Sequence, residues 1–322
     1  MRSVVYESFG RPEQVLKVAE RPRPEPGPGQ VLVRMVLSPI HNHDLMTTAG
    51  SYGIRPALPA VGGTEALGLV EVLGEGVSHL RAGQRVAGGA SETWAEFYLA
   101  DAARLVPVPD GVSDKTACQL IAMPLSAKMI LAELGLKPGD WLVQNAANGA
   151  VGRLVSRFGE EQGIRVLSLV RRDAAVEELR ALGIDRVVST EGADWPERAR
   201  AFTGGAPILH GIDSLAGEGP SQLALVMADG GTISSFGAMT NQPLQVPPAL
   251  LLFRRITVNG FWAAKPRLSP QEIGRMVGEL VQDAAAGRLA LPVSGTYPLQ
   301  EIAEAVKASG EAGRSGKVVL TP

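Results

Sequence analysis

Ala146, Gly149 and Gly152 stand three residues apart in Gln144-Asn-Ala-Ala-Asn-Gly-Ala-Val-Gly152. An apolar run, Trp141-Leu-Val143, leads into them, and an apolar-periodic segment leaves from Ala150. Small side chains let a backbone approach a pyrophosphate, and a helix N-terminus supplies unpaired N–H groups and a partial positive charge. The stretch is a variant of the dinucleotide-binding fingerprint, with Ala at the first glycine position. Asn145, Ala147, Asn148, Gly149, Ala150 and Val151 are therefore the expected phosphate-binding residues. Taken alone, the same spacing also describes a tight strand-to-helix turn with no ligand.

Two other groups of residues carry potential chemistry. The apolar segment Val166-Leu-Ser-Leu-Val170 ends in Arg171-Arg172, about twenty residues past the small-residue turn. A basic residue there accommodates a ribose 2′-phosphate, whereas an acid would bind a free 2′-hydroxyl, so NADP(H) is expected over NAD. Asp173 comes later and is expected to cap a helix from Ala174. Nearer the start lie His41, His43, Tyr52 and Glu65, the last expected to hold backbone amides rather than do chemistry. Three protein ligands and a water suffice for catalytic zinc. However, His41 and His43 are two apart in what reads as an irregular segment, which does not aim both rings at one ion. No metal is expected, and the histidines are expected to be hydrogen-bonded in a wall. Tyr52 reads as a loop residue, either a packing lid or a proton donor, since a phenol stays protonated at neutral pH. His43 competes for the donor role because an unperturbed imidazole titrates nearer neutrality.

These residues need a scaffold to position them. The chain has 322 residues, room for two domains, with 45% hydrophobic and 20% charged content. A formal charge of −2 gives no basic field for nucleic acid or an anionic membrane. No apolar run nears the roughly 18 residues of a bilayer span. Cys118 is the sole cysteine, which excludes intrachain disulfides and a cysteine-rich zinc site, and it reads as a small buried hydrophobe. With no leader-like sequence at Met1, a cytoplasmic location is the default expectation.

Short alternating or apolar segments between Gly/Pro turns make residues 4–110 read as β-rich. Ser113 is expected to cap one helix running to Leu134, bent at Pro124. Strand and helix patterns then alternate: strands 141–146, 165–170, 186–189, 208–215, 231–236 and 256–261, with helices 150–162, 174–182, 194–203 and 219–228 between them. Six such strands suit a doubly wound parallel sheet. Ser269-Pro-Gln-Glu272 is a capping box that opens a helix, and Lys317-Val-Val-Leu320 reads as a closing strand. This tail is too short for its own core and is expected to dock on the first domain. The expected domains are 1–114 with 263–322, and 115–262. The apolar edge at 256–261 needs covering, which suggests a homodimer.

The chain resembles the medium-chain dehydrogenase/reductases, and within them the zinc-free 2-enoyl thioester reductases of mitochondrial type, with quinone oxidoreductases next. The resemblance rests on Gly50-Ser-Tyr-Gly53, Leu58-Pro-Ala-Val-Gly-Gly-Thr-Glu65, Gln144-Asn-Ala146 with Val151-Gly152, Phe236-Gly-Ala-Met239 and Gly260-Phe-Trp262. It implies an α/β fold: a Rossmann domain joined to a GroES-like β-rich catalytic domain. It also implies NADPH-dependent reduction of a carbon–carbon double bond conjugated to a carbonyl, in a small-molecule substrate, with hydride to the β-carbon and a proton to the α-carbon. Tyr52 then matches the proton donor or substrate orienter. Phe236, Gly237 and Met239 match residues beside the nicotinamide carboxamide, and Phe261 and Trp262 match the lining of the cofactor and substrate cleft. Where zinc-dependent relatives have Gly-His-Glu, this chain has Gly63-Thr64-Glu65. Their first cysteine ligand is replaced by His41, and nothing at 123–125 can bind metal. His41 also departs from the asparagine of the enoyl reductases, with Asn42 one place later. The rival readings are a quinone reductase, a zinc-type alcohol dehydrogenase and a non-catalytic nucleotide-binding protein.

Overall fold

The computed structural model describes residues 1–311 and 313–322, in two compact units: Met1–Ala122 with Arg275–Pro322, and Met123–Gly274. The borders expected from sequence were 114/115 and 262/263.

In the second unit, the six expected strands form one sheet in the order Val187–Ser189, Arg165–Val170, Trp141–Gln144, His210–Asp213, Thr232–Ser235, Thr257–Gly260. Every neighbouring pair is parallel. The first strand of this set lies in the middle, so the winding reverses beside Trp141–Gln144. That reversal opens a crevice at the carboxyl ends of the strands, where doubly wound sheets take ligands. Helix Ala150–Glu161 covers the sheet because Val151, Leu154, Val155 and Phe158 recur at helical spacing and are all buried. Trp141 and Trp195 belong to the core with Val143, Leu167, Leu223 and Ile233. The helix expected at 194–203 is present at Trp195–Thr203.

The first unit is built on the long strand Gln30–Pro39. It pairs with Glu65–Leu73, with Phe97–Asp101 and with the C-terminal strand Lys317–Thr321, each antiparallel. The tail docks as expected: Leu299, Ile302, Val306, Val318 and Leu320 share one core with Tyr6, Val33 and Trp94.

Three local expectations are corrected. Residues after His41 are not irregular but form helix Asn42–Ala49, closed by Gly50 in the left-handed conformation. The single bent helix is two, Asp114–Ala117 and Ala122–Leu134. The break precedes Pro124, which lies in the first turn of the second helix, where no intrahelical donor is needed. Ser113 does cap the first of them, accepting from Thr116 N at 3.3 Å. Asp173 precedes helix Ala174–Arg180 without a side-chain capping bond, because it is itself in a helical conformation.

Candidate active site

In the second unit the small-residue turn joins strand Trp141–Gln144 to helix Ala150–Glu161. Ala146, at the first glycine position of the fingerprint, has φ 48°, the left-handed conformation that normally selects glycine. Gly152 is required by close approach: a Cβ there would lie 2.7 Å from Ala147 Cα and 2.8 Å from its carbonyl oxygen. Gly149 precedes the helix with no side-chain cap, and Gly149 and Ala150 are exposed. The leading amides are thus open to an anion, as the fingerprint requires. The Asn148 carbonyl accepts from Arg153 Nε at 2.9 Å, and Ala147 and Val151 are buried beneath the turn.

Asn145 takes a different position from its neighbours. Its Nδ2 donates to Asp213 Oδ1 at 2.7 Å and its Oδ1 accepts from Ser214 N at 2.8 Å. Asp213, fully buried, also accepts from Ser235 Oγ at 3.0 Å and Ala216 N at 3.2 Å. One carboxylate therefore joins the carboxyl ends of three strands. Sequence reasoning missed Asp213, whose only sequence signal is its place at the end of a strand. Gly237 is held against the same loop, since a Cβ there would be 2.5 Å from Ser214 O. Phe236 meets Phe261 edge-on with centroids 6.4 Å apart, and Met239 is exposed. Phe261 is buried and lines a small pocket with His210, Ser234 and Asn259. Trp262 carries Lys265 Nζ over its ring at 5.5 Å. Arg171 and Arg172 follow strand Arg165–Val170 and are both exposed.

The first unit brings His41, His43 and Tyr52 into one stack. The imidazole centroids are 5.0 Å apart, and the Tyr52 ring lies 5.7 Å from His43 at 28°. The start of helix Asn42–Ala49 sets this spacing, with Asp44 Oδ2 accepting from His41 N at 2.9 Å. His43 Nε2 is 2.7 Å from Thr64 Oγ1, and Thr64 Oγ1 donates to Asp44 Oδ1 at 2.6 Å. His41 Nε2 is 2.8 Å from Glu65 Oε2. The other Glu65 oxygen accepts from Ile121 N at 2.7 Å and Ala122 N at 2.9 Å, which starts helix Ala122–Leu134 where the sequence suggested an unbroken one.

Burial dominates the electrostatics of this cluster. It pushes the Glu65 carboxyl up to about 7, against the lowering effect of the two backbone amides. It holds His41 well below the usual imidazole range, and it brings Lys317 down to about 8 with help from Arg314. Cys118 is fully buried, as expected, and burial raises its thiol. Asp44, Thr64, Glu65 and Lys317 were not among the expected site residues. Gly63-Thr64-Glu65 was the available signal for two of them.

Known proteins match both units. A family model described as alcohol dehydrogenase GroES-like domain covers residues 27–110, and one described as zinc-binding dehydrogenase covers 150–282. The mitochondrial enoyl-[acyl-carrier-protein] reductase of Xenopus tropicalis is 30% identical over 331 aligned positions, spanning 99% of this chain and 95% of its own. A solved putative NADPH:quinone reductase from Bacillus thuringiensis aligns with TM-score 0.92 and 29% identity, covering 100% of this chain and 98% of the other. A mycobacterial protein solved in complex with NADPH aligns with TM-score 0.88 and 27% identity over 100% of both chains.

The zinc in the second model's description does not fit the donors present. His41 Nε2 faces Glu65 and His43 Nε2 faces Thr64, and among the described residues no three His, Cys, Asp or Glu side chains converge. A dinucleotide does fit, at the uncapped turn where Gly152 lets helix and strand approach. With both family models matched and a full-length relative at 30% identity, the chain belongs to the medium-chain dehydrogenase/reductase superfamily, alongside the enoyl-[acyl-carrier-protein] reductases.

Proposed function

We propose that this protein reduces the carbon–carbon double bond of an α,β-unsaturated thioester or enone, drawing on NADPH. The observation that carries the reading is the polar wall of Tyr52, His43, Thr64 and Asp44, which offers protons where zinc-type relatives would need metal donors. NADPH, when bound, supplies a hydride for the β-carbon. Unit Met123–Gly274 is the cofactor domain in this proposal, and the other unit is the catalytic domain. The backbone of Ala147, Asn148, Gly149, Ala150 and Val151 holds the pyrophosphate, on a turn that Asn145 braces through Asp213. Arg171 and Arg172 pair with the 2′-phosphate. Phe236, Gly237, Met239 and Phe261 hold the nicotinamide end, and Trp262 orients the substrate. A proton reaches the α-carbon from Tyr52 or His43, and no Lewis acid is needed because the developing oxyanion is delocalised as an enolate.

The second reading is a quinone reductase, favoured by the Bacillus thuringiensis likeness. A quinone acceptor requires no acid at a defined carbon. NADPH oxidation followed at 340 nm with crotonyl-CoA, a simple enone and a naphthoquinone separates the two. The proposal expects turnover of the first two that falls with Tyr52→Phe, and turnover of the quinone alone rejects it.

The proposal includes a homodimer formed through the edge strand Thr257–Gly260, beside which Leu252 and Phe253 are 69% and 80% exposed. It also includes a cytoplasmic location, a reducing compartment that suits the free thiol of Cys118.

A further inference from the structure

The hydrogen bonds around His43 fix which of its nitrogens carries a proton. A threonine hydroxyl has one hydrogen to give. At 2.6 Å from Asp44 Oδ1, an acceptor-only carboxylate, Thr64 gives it there. The Thr64 oxygen must then accept from His43, whose Nε2 lies 2.7 Å away, so Nε2 is the N–H. The imidazole stacks with the rings of His41 and Tyr52, at 5.0 and 5.7 Å between centroids. With Nε2 engaged by Thr64, Nδ1 is the nitrogen the ring has left for a substrate, and the side chain keeps 22% of its surface exposed.

We infer that His43 delivers the α-carbon proton through Nδ1, and that Thr64 and Asp44 are positioning residues that hold its ring and tautomer. The inference rests on the enoyl-reduction reading above. In the step, the Nδ1–H bond of the imidazolium breaks and its proton joins the electron pair of the enolate as a new α-carbon–hydrogen bond. The ring is left neutral with Nε2–H still bound to Thr64, and solvent returns the proton to Nδ1. Asp44 Oδ1 is 3.6 Å from Nε2, so Asp44 and Thr64 together hold that edge of the ring. The other titratable groups that face it are His41, Tyr52 and Glu65, with Lys317 behind His41 and Glu65. Tyr52 acts in this scheme by packing the imidazole and orienting the substrate. The arrangement has the logic of a base held by an orienting carboxylate, with a hydroxyl inserted between them.

The test uses Thr64→Val, Thr64→Ser, His43→Asn and Tyr52→Phe in the intact protein, with two readouts. Ring-nitrogen NMR of 15N-histidine protein reports the tautomer without any turnover. Steady-state kinetics with NADPH and crotonyl-CoA report the proton step. The wild type is expected to hold His43 as the Nε2–H tautomer, and Thr64→Val to lose that preference while Tyr52→Phe retains it. Thr64→Val should lower kcat by about 10- to 100-fold, with KM for NADPH unchanged and Thr64→Ser restoring most of the rate. His43→Asn should cost more kcat than Tyr52→Phe. An Nδ1–H tautomer in the wild type, an unaltered kcat in Thr64→Val, or a larger loss in Tyr52→Phe than in His43→Asn each overturns the inference. Wild-type protein that binds NADPH but turns over no enoyl thioester rejects the function reading, and the proton step with it, and leaves the measured tautomer standing.

Discussion

Two questions of charge turn on single residues. Arg171 and Arg172 suggest a cofactor preference because a basic strand end is a local pattern, and both side chains are exposed. Arg171→Ala should weaken NADPH binding about tenfold or more and leave NADH binding within about twofold, measured by fluorescence titration. Equal losses for both cofactors would contradict the assignment. Glu65 was read as a holder of backbone amides, and it is one; which amides it holds was not legible, because Ile121 and Ala122 lie far along the chain. Its carboxyl has an ordinary value of 4.5 and is pushed up to about 7 by burial. Between those values the folded protein binds the extra proton, so Glu65 makes stability fall as pH rises across that window. Glu65→Gln should remove this contribution, by up to about 1.4 kcal/mol per pH unit. Urea unfolding of both proteins at pH 5 and pH 7 reads the difference. Parallel pH profiles would reject the raised carboxyl.

At the scale of elements, periodic patterns were readable and polar starts were not. The strand Arg165–Val170 and helix Ala150–Glu161 follow from apolar spacing alone. Ser269 and Glu272 form the expected capping box, with Ser269 N donating to Glu272 Oε2 at 2.8 Å and Glu272 N to Ser269 Oγ at 3.3 Å. Helix Asn42–Ala49 escaped notice because it opens on His-Asn-His-Asp, with no apolar stripe and an uncommon residue, His41, at its N-cap. The split before Ala122 escaped because Glu65, a distant carboxylate, takes the free amides. Gly152 is the glycine on which the cofactor turn depends most. Gly152→Ala places a methyl against the backbone of Ala147, which must shift. The variant should lose about 1–3 kcal/mol of stability and bind NADPH at least about tenfold more weakly. Thermal unfolding and cofactor titration at wild-type values would show that the close approach is dispensable.

For the molecule as a whole, the alternation of strands and helices made the parallel sheet and its six strands legible from sequence. The return of the tail was legible from its size, and Lys317–Thr321 does close onto Gln30–Pro39. The burial of Lys317 was not, since a lysine opening a strand gives no sign that its surroundings will enclose it. The exposed edge at Thr257–Gly260 and the bare Phe253 ring belong to this scale too. In the proposed dimer, Phe253→Glu should leave only monomer in equilibrium sedimentation at micromolar concentration, without loss of the fold by circular dichroism. A wild-type protein that sediments as monomer at that concentration would refute the dimer. The destination of the hydride decides the reaction. With NADPH deuterated at the nicotinamide C4 position and crotonyl-CoA as acceptor, the product should be butyryl-CoA carrying deuterium at the β-carbon and a solvent proton at the α-carbon. Crotonyl-CoA recovered unchanged and unlabelled, while the same protein oxidises NADPH with a naphthoquinone, would contradict it.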